Sequence, residues 1–414
     1  MHIRNLAGIP YAELRFSLGK YVTDALAVRL HSLDYCDMDE RSQAHGLQSA
    51  QSANISERKA EHVRYALVSP NPASGASWWD DIDLIHEPLP EFDAANFDPR
   101  VQFLGREIGL PLLISSMTGG HPDAEHINRQ LGALAERNNI PIGLGSMRAM
   151  IVDPRLMRSY AVVREYAPSA FVLGNIGAPQ LVPQGRKPAL LVREIRTALD
   201  HVGASALIVH LNFAQESVQP GGDLNAAGVI EAIDRLVGTI GLPVIVKETG
   251  AGLSARSAQR LSDIGVVALD VGGSGGTSMT WIEGQRAAAR GDTLLATLGA
   301  TFASWGNPTP AAVRMVRRSG PTVIASGGIR NGLDAAKAIA LGANLTGMAR
   351  PFLEAAVAGD EALATVVDCF RHELSVAAFL TGSPDIESLR QAPFVAHGRT
   401  RTWIDAADRL AAIG

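Results

Sequence analysis

The stretch from residue 243 to residue 273, PVIVKETGAGLSARSAQRLSDIGVVALDVGG, shows most clearly which fold the chain adopts. Two short apolar runs, 243–246 and 266–270, flank a segment with helical apolar spacing at 255–264. Gly265 stands between that segment and the second run, where a left-handed residue that ends a helix is favoured. The stretch therefore predicts one strand–helix–strand unit.

The same alternation recurs along the chain. Strand candidates lie at 111–115, 141–144, 170–173, 206–209, 243–246, 266–270, 322–325 and 344–347. Helical spacing occurs between them at 124–138, 156–166, 190–202, 228–240, 255–264, 310–318 and 333–341. Eight near-continuous apolar strands indicate a parallel sheet that is buried on both faces, and at that number an α/β fold of the (β/α)8 TIM-barrel type is expected. An open, doubly wound sheet is the structural alternative.

The N-terminal region differs from the rest of the chain. An apolar-periodic piece at 11–33 is followed by a polar stretch at 42–56 that is rich in Ser, Gln, Ala and Asn. Such a composition suggests a tether. We therefore predict an N-terminal extension and polar tether at 1–56 and a (β/α)8 barrel domain at 57–414.

Composition limits the classes of function. The net charge of −5 gives no chain-wide basic field, which argues against nucleic acid or an anionic membrane surface as a partner. The two cysteines are far apart and have no metal-ligand spacing. No apolar run approaches the roughly 20 residues that span a bilayer. These features predict a protein of the reducing cytoplasm.

Two glycine-rich motifs follow the last two predicted strands. The first is Ser326-Gly327-Gly328-Ile329-Arg330 and the second is Gly347-Met348-Ala349-Arg350. Glycines let backbone N–H groups approach an anion, and in a barrel the loops after strands seven and eight are a common phosphate site. We expect the phosphate of flavin mononucleotide there; the alternative is that these glycines only form tight turns.

Charged side chains follow other strands. Lys247 directly follows the apolar run 243–246. At that position a cation would face a flavin ring that is negative when reduced. The alternative is an ion pair between Lys247 and Glu248 or Glu216. Glu216 has the oxygen chemistry that Mg2+ prefers, unless it is only a solvated loop residue. Arg58, Lys59 and His62 have the composition of a diphosphate clamp, although many solvated helix faces have it too.

Linked motifs occur in a fixed order from residue 55 to the C-terminus. They are Arg58-Lys59-x-Glu61-His62, Met117-Thr118-Gly119-Gly120, Gly145-Ser146-x-Arg148, Asn175-Ile176-Gly177, His210-Leu211-Asn212-x-x-Gln215-Glu216, Val246-Lys247-Glu248-x-Gly250, Gly275-Gly276-Thr277 with Ile282-Glu283, and Gly327-Gly328-x-Arg330 with Asp334. On this ordered set the chain closely resembles the type 2 isopentenyl diphosphate isomerases, which depend on FMN.

The resemblance implies an isomerase of isoprenoid biosynthesis that interconverts isopentenyl diphosphate and dimethylallyl diphosphate, with FMN reduced by NADPH and a homo-oligomeric assembly, a tetramer or octamer. It places around the flavin Ser116, Met117, Thr118, Ser146, Asn175, Lys247, Thr277, Gly327, Gly328, Arg330, Ala349 and Arg350. It assigns to the substrate Arg58, Lys59, His62, Arg148, His210, Asn212 and Gln215. It makes Glu216 the Mg2+ ligand, with Gln215 and Glu283 as the catalytic residues that move protons.

The chain departs from the family pattern in several places. The loop Pro220-Gly221-Gly222-Asp223 lacks one carboxylate that the family usually has, which puts the metal geometry in doubt. Met147 occupies the third place of the Gly-Ser-x-Arg motif, and Met279 stands where a bulky aromatic residue is usual, with Trp281 nearby. The extension 1–56 is also atypical of the family.

Two other classes of function stay open at the level of sequence. One is another FMN barrel, an α-hydroxy-acid oxidase or a nucleotide dehydrogenase. An α-hydroxy-acid oxidase should have a His-Arg pair, and a nucleotide dehydrogenase should have a catalytic Cys in a mobile loop. Here Cys36 and Cys369 lie outside the strand-end loops. The other class is a flavin-binding scaffold without catalysis, against which stand the metal and diphosphate residues that such a scaffold would not need.

Overall fold

A computed structural model describes residues 43–68, 77–121 and 123–411 of the 414-residue chain. The apolar-periodic piece predicted at 11–33 lies outside these described residues. Twelve strands are present in the described part of the chain: β1 Ile82–Leu84, β2 Val101–Phe103, β3 Arg106–Ile108, β4 Leu112–Ile114, β5 Ile142–Gly143, β6 Val172–Gly177, β7 Ala206–Leu211, β8 Val244–Glu248, β9 Ala268–Asp270, β10 Thr322–Ser326, β11 Leu345–Met348 and β12 Phe394–Ala396.

Strands β4 to β11 form a closed barrel of parallel strands in the order of the sequence. The closing pair is β11 with β4, in the register Thr346 to Leu112 and Met348 to Ile114. All eight predicted strands are present, so the predicted (β/α)8 barrel is confirmed. The doubly wound alternative is wrong, because an open sheet would leave two edge strands unpaired.

The helices that surround and extend the barrel alternate with the strands. They are α1 Gln43–Val68, α2 Asp123–Asn138, α3 Arg148–Val152, α4 Arg158–Tyr166, α5 Val192–His201, α6 Phe213–Glu216, α7 Val229–Thr239, α8 Ala255–Asp263, α9 Met279–Ala289, α10 Thr293–Thr301, α11 Thr309–Val316, α12 Gly332–Ala340, α13 Arg350–Ala358, α14 Asp360–Leu380, α15 Ile386–Leu389 and α16 Gly398–Ala411. The main apolar core lies between these helices and the outer faces of the strands.

A short hairpin closes one end of the barrel. Strands β2 and β3 pair antiparallel, and Phe103 and Ile108 on the hairpin are fully buried. They belong to a second apolar cluster with the inward-facing side chains of the barrel strands, and Phe103 makes an edge contact with Phe171 at 5.5 Å between ring centroids. Because this plug fills the barrel interior at the N-terminal ends of the strands, the opposite mouth is left for chemistry.

Helix α1 extends beyond the boundary that the sequence predicts. It begins at Gln43, inside the stretch 42–56 that we interpret as a polar tether, and continues through the Arg58 motif to Val68. Helix and predicted tether therefore overlap, and the domain boundary at residue 56 stays a prediction. None of the helices within the described ranges is both long enough and apolar enough to cross a lipid bilayer.

Candidate active site

Lys59 connects helix α1 to the loops that follow strands β4 and β5. Its Nζ donates to the carbonyl oxygens of Gly119 at 2.8 Å and Ser146 at 2.6 Å, and to the hydroxyl of Tyr160 at 2.5 Å. Burial, with the charge of Arg58, lowers the pKa of Lys59 to about 7. A solvated helix face would not make these contacts, so that interpretation of the motif is wrong. The three acceptors occupy the three hydrogens of the ammonium group.

Two sequence-predicted residues, His62 and Gln215, contact a third, Glu283, on helix α9. His62 Nε2 lies 2.7 Å from Glu283 Oε1, and Gln215 Nε2 donates to the same oxygen at 2.8 Å. The Glu283 side chain has no solvent exposure, whereas His62 is 20% exposed. Burial opposes the charge of Glu283, but the hydrogen bond and charge of His62, the charge of Arg286 and the Gln215 amide outweigh it and bring its pKa to about 2. Glu283 is therefore an ionised acceptor.

Glu216 lies at the end of the short helix after strand β7. Its Oε1 accepts from Asn212 Nδ2 at 2.9 Å, and its Oε2 accepts from Gln219 Nε2 at 3.0 Å and the backbone N–H of Asp223 at 2.8 Å. The residue is only 5% exposed, which makes a solvated-loop role wrong. Burial raises the pKa of this carboxyl, and the Asp223 carboxylate acts in the same direction.

Asp223 is the carboxylate that the altered loop retains. Its carboxylate accepts from Arg148 Nη1 at 3.0 Å and from Lys187 Nζ at 2.8 Å. Burial opposes its charge, yet these two cations keep its pKa below the ordinary range. Arg148, which the resemblance assigns to the substrate, is thus tied to the loop that also supports Glu216.

Lys247 lies at the barrel mouth and is 9% exposed. Its Nζ donates to the carbonyl oxygen of Glu248 at 2.8 Å and lies 3.4 Å from Asp270 Oδ2. Its ion pair is therefore with Asp270, a partner that the sequence did not suggest; Glu248 contributes its main-chain oxygen. Asp270 also accepts from Ser326, the first residue of the glycine-rich motif.

Asn175 and His210 form a second hydrogen-bonded pair at the strand ends. His210 Nδ1 lies 2.8 Å from Asn175 Oδ1, and Asn175 Nδ2 donates to the Leu144 carbonyl at 3.0 Å. Burial, together with the charges of Lys247 and Lys59, lowers the pKa of His210 to about 3. His210 is therefore neutral at physiological pH.

The glycines after strand β10 adopt a conformation that most residues avoid. Gly327 has φ +106° and Gly328 has φ +79°. A Cβ atom on Gly328 would lie 2.7 Å from the Gly275 carbonyl oxygen, and one on Gly276 would lie 2.6 Å from the Gly328 nitrogen. The two loops therefore pack backbone to backbone, and Thr277 directly follows this contact.

The two arginines of the predicted phosphate site have partners within the protein. Arg330 Nε donates to Asp334 Oδ2 and its Nη2 donates to Asp80 Oδ1, both at 2.8 Å. Arg350 Nε donates to Glu354 Oε1 at 2.7 Å. These contacts orient both side chains, and the backbone N–H groups of the glycine-rich loops are further donors for an anion. Ala349 directly precedes helix α13.

The other predicted flavin residues lie on the loop after strand β4. Thr118 is 3% exposed and donates to Asn128 Oδ1. Met117 packs against the main core, partly buried. Ser116 precedes it. Several partners of the site residues escaped sequence reasoning, because motifs at strand ends do not identify them: Tyr160, Asn128 and Arg286 on helices, and Lys187 in the loop that precedes helix α5.

Buried polar atoms without a partner test whether the site suits a bound group. Within the described part of the chain, such atoms at the strand ends and on helix α1 include Arg58 Nε, Ser115 Oγ, Ser116 Oγ and Asn212 Oδ1. A buried polar atom without a hydrogen bond is costly, so a ligand with complementary groups fits here. No cluster of three His, Cys, Asp or Glu side chains within the described ranges is placed to hold a metal by itself.

The chain is similar in sequence to known enzymes over most of its length. The family profile described as FMN-dependent dehydrogenase matches residues 191–396. The chain is 42% identical over 356 residues to isopentenyl-diphosphate delta-isomerase of Halobacterium salinarum, covering 86% of this chain and 97% of the relative. It is 44% identical over 351 residues to the protein of the same name from Methanosarcina mazei, covering 84% and 94%.

Solved structures of flavin enzymes share the barrel. A flavocytochrome b2 mutant matches with a TM-score of 0.56 and 17% identity, covering 81% of this chain and 82% of that one. A mandelate oxidase mutant with an FMN adduct matches with a TM-score of 0.54 and 17% identity, covering 81% and 95%. At this identity the likeness concerns the fold alone.

Proposed function

Since the chain belongs to the type 2 isopentenyl diphosphate isomerase family, we propose that it interconverts isopentenyl diphosphate and dimethylallyl diphosphate at the barrel mouth, with reduced FMN and Mg2+. The observation that supports this most is the convergence of Gln215 and His62 on the buried, ionised Glu283. A non-catalytic flavin scaffold would have no use for such a cluster. Location in the cytoplasm and assembly into a tetramer or octamer stay predictions.

The flavin would lie across the strand ends. Backbone N–H groups of Gly327, Gly328 and Ala349 would hold its phosphate, while Lys247 would approach the ring. The remaining flavin contacts that we propose are Ser116, Met117, Thr118, Ser146, Asn175, Thr277, Arg330 and Arg350. When bound and reduced, by NADPH in this proposal, FMN supplies a proton donor and acceptor at N5 and electron density beneath the substrate alkene.

The diphosphate would be held at the side of the mouth near Glu216. Arg58 and Arg148 supply cations, and Asn212 supplies an amide whose oxygen has no partner in the described part of the chain. Mg2+ is usually bound through one or two carboxylates together with substrate phosphates, which matches the single carboxylate of Glu216. Lys59 and His210 would stabilise the loops around the diphosphate through the hydrogen bonds that they already make.

Proton movement would follow the Gln215 and Glu283 contact. Isomerisation adds a proton to the terminal alkene carbon and removes one from the carbon next to the ester carbon. Gln215 would lie against the allylic carbons and keep Glu283 aimed at them. Glu283 would accept the proton that is removed, and His62, which is partly exposed, would exchange protons with solvent, from which the donor to the terminal carbon would be reprotonated before the next turnover.

An anaerobic assay tests this function. The protein is incubated with isopentenyl diphosphate, FMN and Mg2+, with and without NADPH or dithionite, and dimethylallyl diphosphate is quantified. We expect product only when the flavin is reduced, and a loss of roughly 10²- to 10⁴-fold in kcat for Glu283→Gln, the range typical of a general acid or base. A folded, flavin-loaded protein that forms no product in either condition would contradict the proposal.

A further inference from the structure

Glu283 has a third donor that the proposed chemistry does not use. Arg286, one helical turn further along α9, donates from Nη1 to Glu283 Oε2. Thus His62 and Gln215 occupy one carboxylate oxygen, while Arg286 occupies the other. The Arg286 side chain is 3% exposed, so this contact is shielded from solvent.

Arg286 is itself fixed from helix α1. Its Nε donates to Glu61 Oε2 at 2.8 Å, and Arg290 Nη2 donates to the same oxygen at 3.0 Å. Glu283, Arg286 and Arg290 follow the spacing of one helix face, and this face meets α1. The contacts therefore run from Glu61 through the buried Arg286 to Glu283, and they end at Gln215.

The charges around Glu283 come from a small set of residues. Helix α1 contributes Arg58, Glu61 and His62, and α9 itself contributes Arg286 and Arg290. Helix α6 contributes the neutral Gln215 with Glu216 beside it. Helix α10, which packs against α9, has no titratable residue in its sequence TLLATLGAT. Within this set Arg286 is the buried, permanent cation in direct contact with Glu283.

We infer that Arg286 is a positioning residue that keeps Glu283 ionised and oriented toward Gln215, and that Glu61 holds Arg286 in place. This inference rests on the proposed function, because it gives Arg286 a role only through Glu283. Without Arg286 the buried carboxylate keeps its desolvation cost and loses the charge and the hydrogen bond of a buried cation, so its pKa rises. A larger fraction of the acceptor would then be protonated at acidic pH.

The test compares three substitutions in the holoenzyme. Arg286→Gln removes the cation, Arg286→Lys retains it, and Arg290→Gln is the control because it removes an outer partner of Glu61 only. For Arg286→Gln we expect kcat to fall roughly 10- to 100-fold, as for outer partners of functional groups, and the acid limb of its pH profile to move to higher pH. Arg286→Lys should restore the profile in part, and Arg290→Gln should change kcat less than about 3-fold.

Infrared difference spectroscopy provides a readout that does not depend on turnover. The protonated Glu283 carboxyl, identified by its loss in Glu283→Gln, should appear at higher pH in Arg286→Gln than in the unsubstituted protein. Where Arg286→Gln does not fold, Arg286→Lys, which keeps the charge but loses the guanidinium geometry, should show a smaller shift in the same direction. An unchanged carboxyl titration and pH profile would overturn the role of Arg286. Full activity in Glu283→Gln would instead overturn the proposed proton acceptor.

Discussion

Hydrogen bonds orient Glu216, the residue that we propose as the Mg2+ ligand. Three hydrogen bonds from Asn212, Gln219 and the Asp223 backbone fix its two oxygens. Glu216→Gln keeps the shape but removes the charge. We expect the apparent Mg2+ affinity in the isomerase assay to fall about 10- to 100-fold or more. Glu231→Gln on an exposed helix face is the control, and an unchanged Mg2+ titration of the Glu216 variant would contradict this assignment.

Glu248 should make stability depend on pH in the opposite sense from an ordinary ion pair. Burial raises the pKa of its carboxyl to about 6, above the 4.5 of an unfolded chain, although the Ala251 and Gly252 N–H groups oppose the shift. The unfolded chain therefore releases this proton first, and folding stability is lost as pH rises from 4.5 through 6. Above pH 6 the folded protein carries the full cost of burying the ionised Glu248 carboxylate.

Glu248→Gln removes this titration. The free energy of unfolding of the variant, relative to the unsubstituted protein, should increase by about 2 kcal/mol between pH 4.5 and pH 7. Denaturant titrations at both pH values measure the difference, with Glu231→Gln as the exposed control. A difference between variant and parent that does not change with pH would show that Glu248 titrates like an exposed carboxyl.

At the scale of single residues, sequence reasoning identified groups but not their partners. Gln215 and Glu283 were predicted from motifs, and parallel strand ends explain why they lie close together. The Lys247 contact with Asp270 was missed, because pairing across neighbouring strands depends on register. Arg330 was predicted for the flavin, but its hydrogen bond to Asp80 depends on a segment 250 residues away.

The close packing of helix α9 against helix α10 depends on two facing glycines, Gly284 and Gly299. A Cβ atom on Gly284 would lie 2.8 Å from the Gly299 Cα, closer than real Cβ atoms approach. Gly284→Ala should therefore separate the helices and destabilise the fold by about 1–3 kcal/mol, as overpacking does. Since α9 contains Glu283, kcat should fall as well.

Gly238→Ala is the matched control for this helix pair. Gly238 lies in helix α7, and an added Cβ atom would meet nothing within 4 Å. The substitution should be neutral or stabilise by up to about 1 kcal/mol, because alanine favours helix more than glycine does. Thermal unfolding of both variants measures the contrast, and equal effects at the two positions would show that the close approach is unimportant.

At the scale of elements, the eight barrel strands were predictable because apolar runs alternate with amphipathic helices at a regular distance. The β2–β3 hairpin and the α9–α10 pair were not predicted. Each lies outside the strand–helix rhythm, and their short or glycine-containing segments have weak periodicity. Helix α1 was only partly predicted, because its first half has the polar composition of a tether.

The closed barrel should bind FMN as one folded unit. FMN at roughly 100 times its Kd should stabilise the protein by about 2.7 kcal/mol, which raises the melting temperature. Gly328→Ala should abolish this shift, since its Cβ atom would meet the Gly275 carbonyl. Gly185→Ala is the control: Gly185 also has positive φ, at +61°, but nothing lies within 4 Å of the added atom. An equal FMN shift in both variants would contradict the proposed phosphate loop.

At the scale of the whole molecule, the sequence predicted the barrel and its active end, because parallel strands order their C-terminal loops around one mouth. It did not predict the plug of Phe103 and Ile108 at the other end. Nor did it show that helix α1 reaches the mouth through Lys59 and His62, since only the folded chain brings residue 59 beside residue 146.

The most direct measurement is deuterium incorporation during turnover. Isopentenyl diphosphate is incubated anaerobically in D2O with the protein, Mg2+ and FMN, reduced in one sample and oxidised in the other, and the products are analysed by NMR. The account predicts dimethylallyl diphosphate with deuterium in a methyl group, formed only with reduced FMN. Product without deuterium, equal product from both samples, or no product from folded flavin-loaded protein would contradict it.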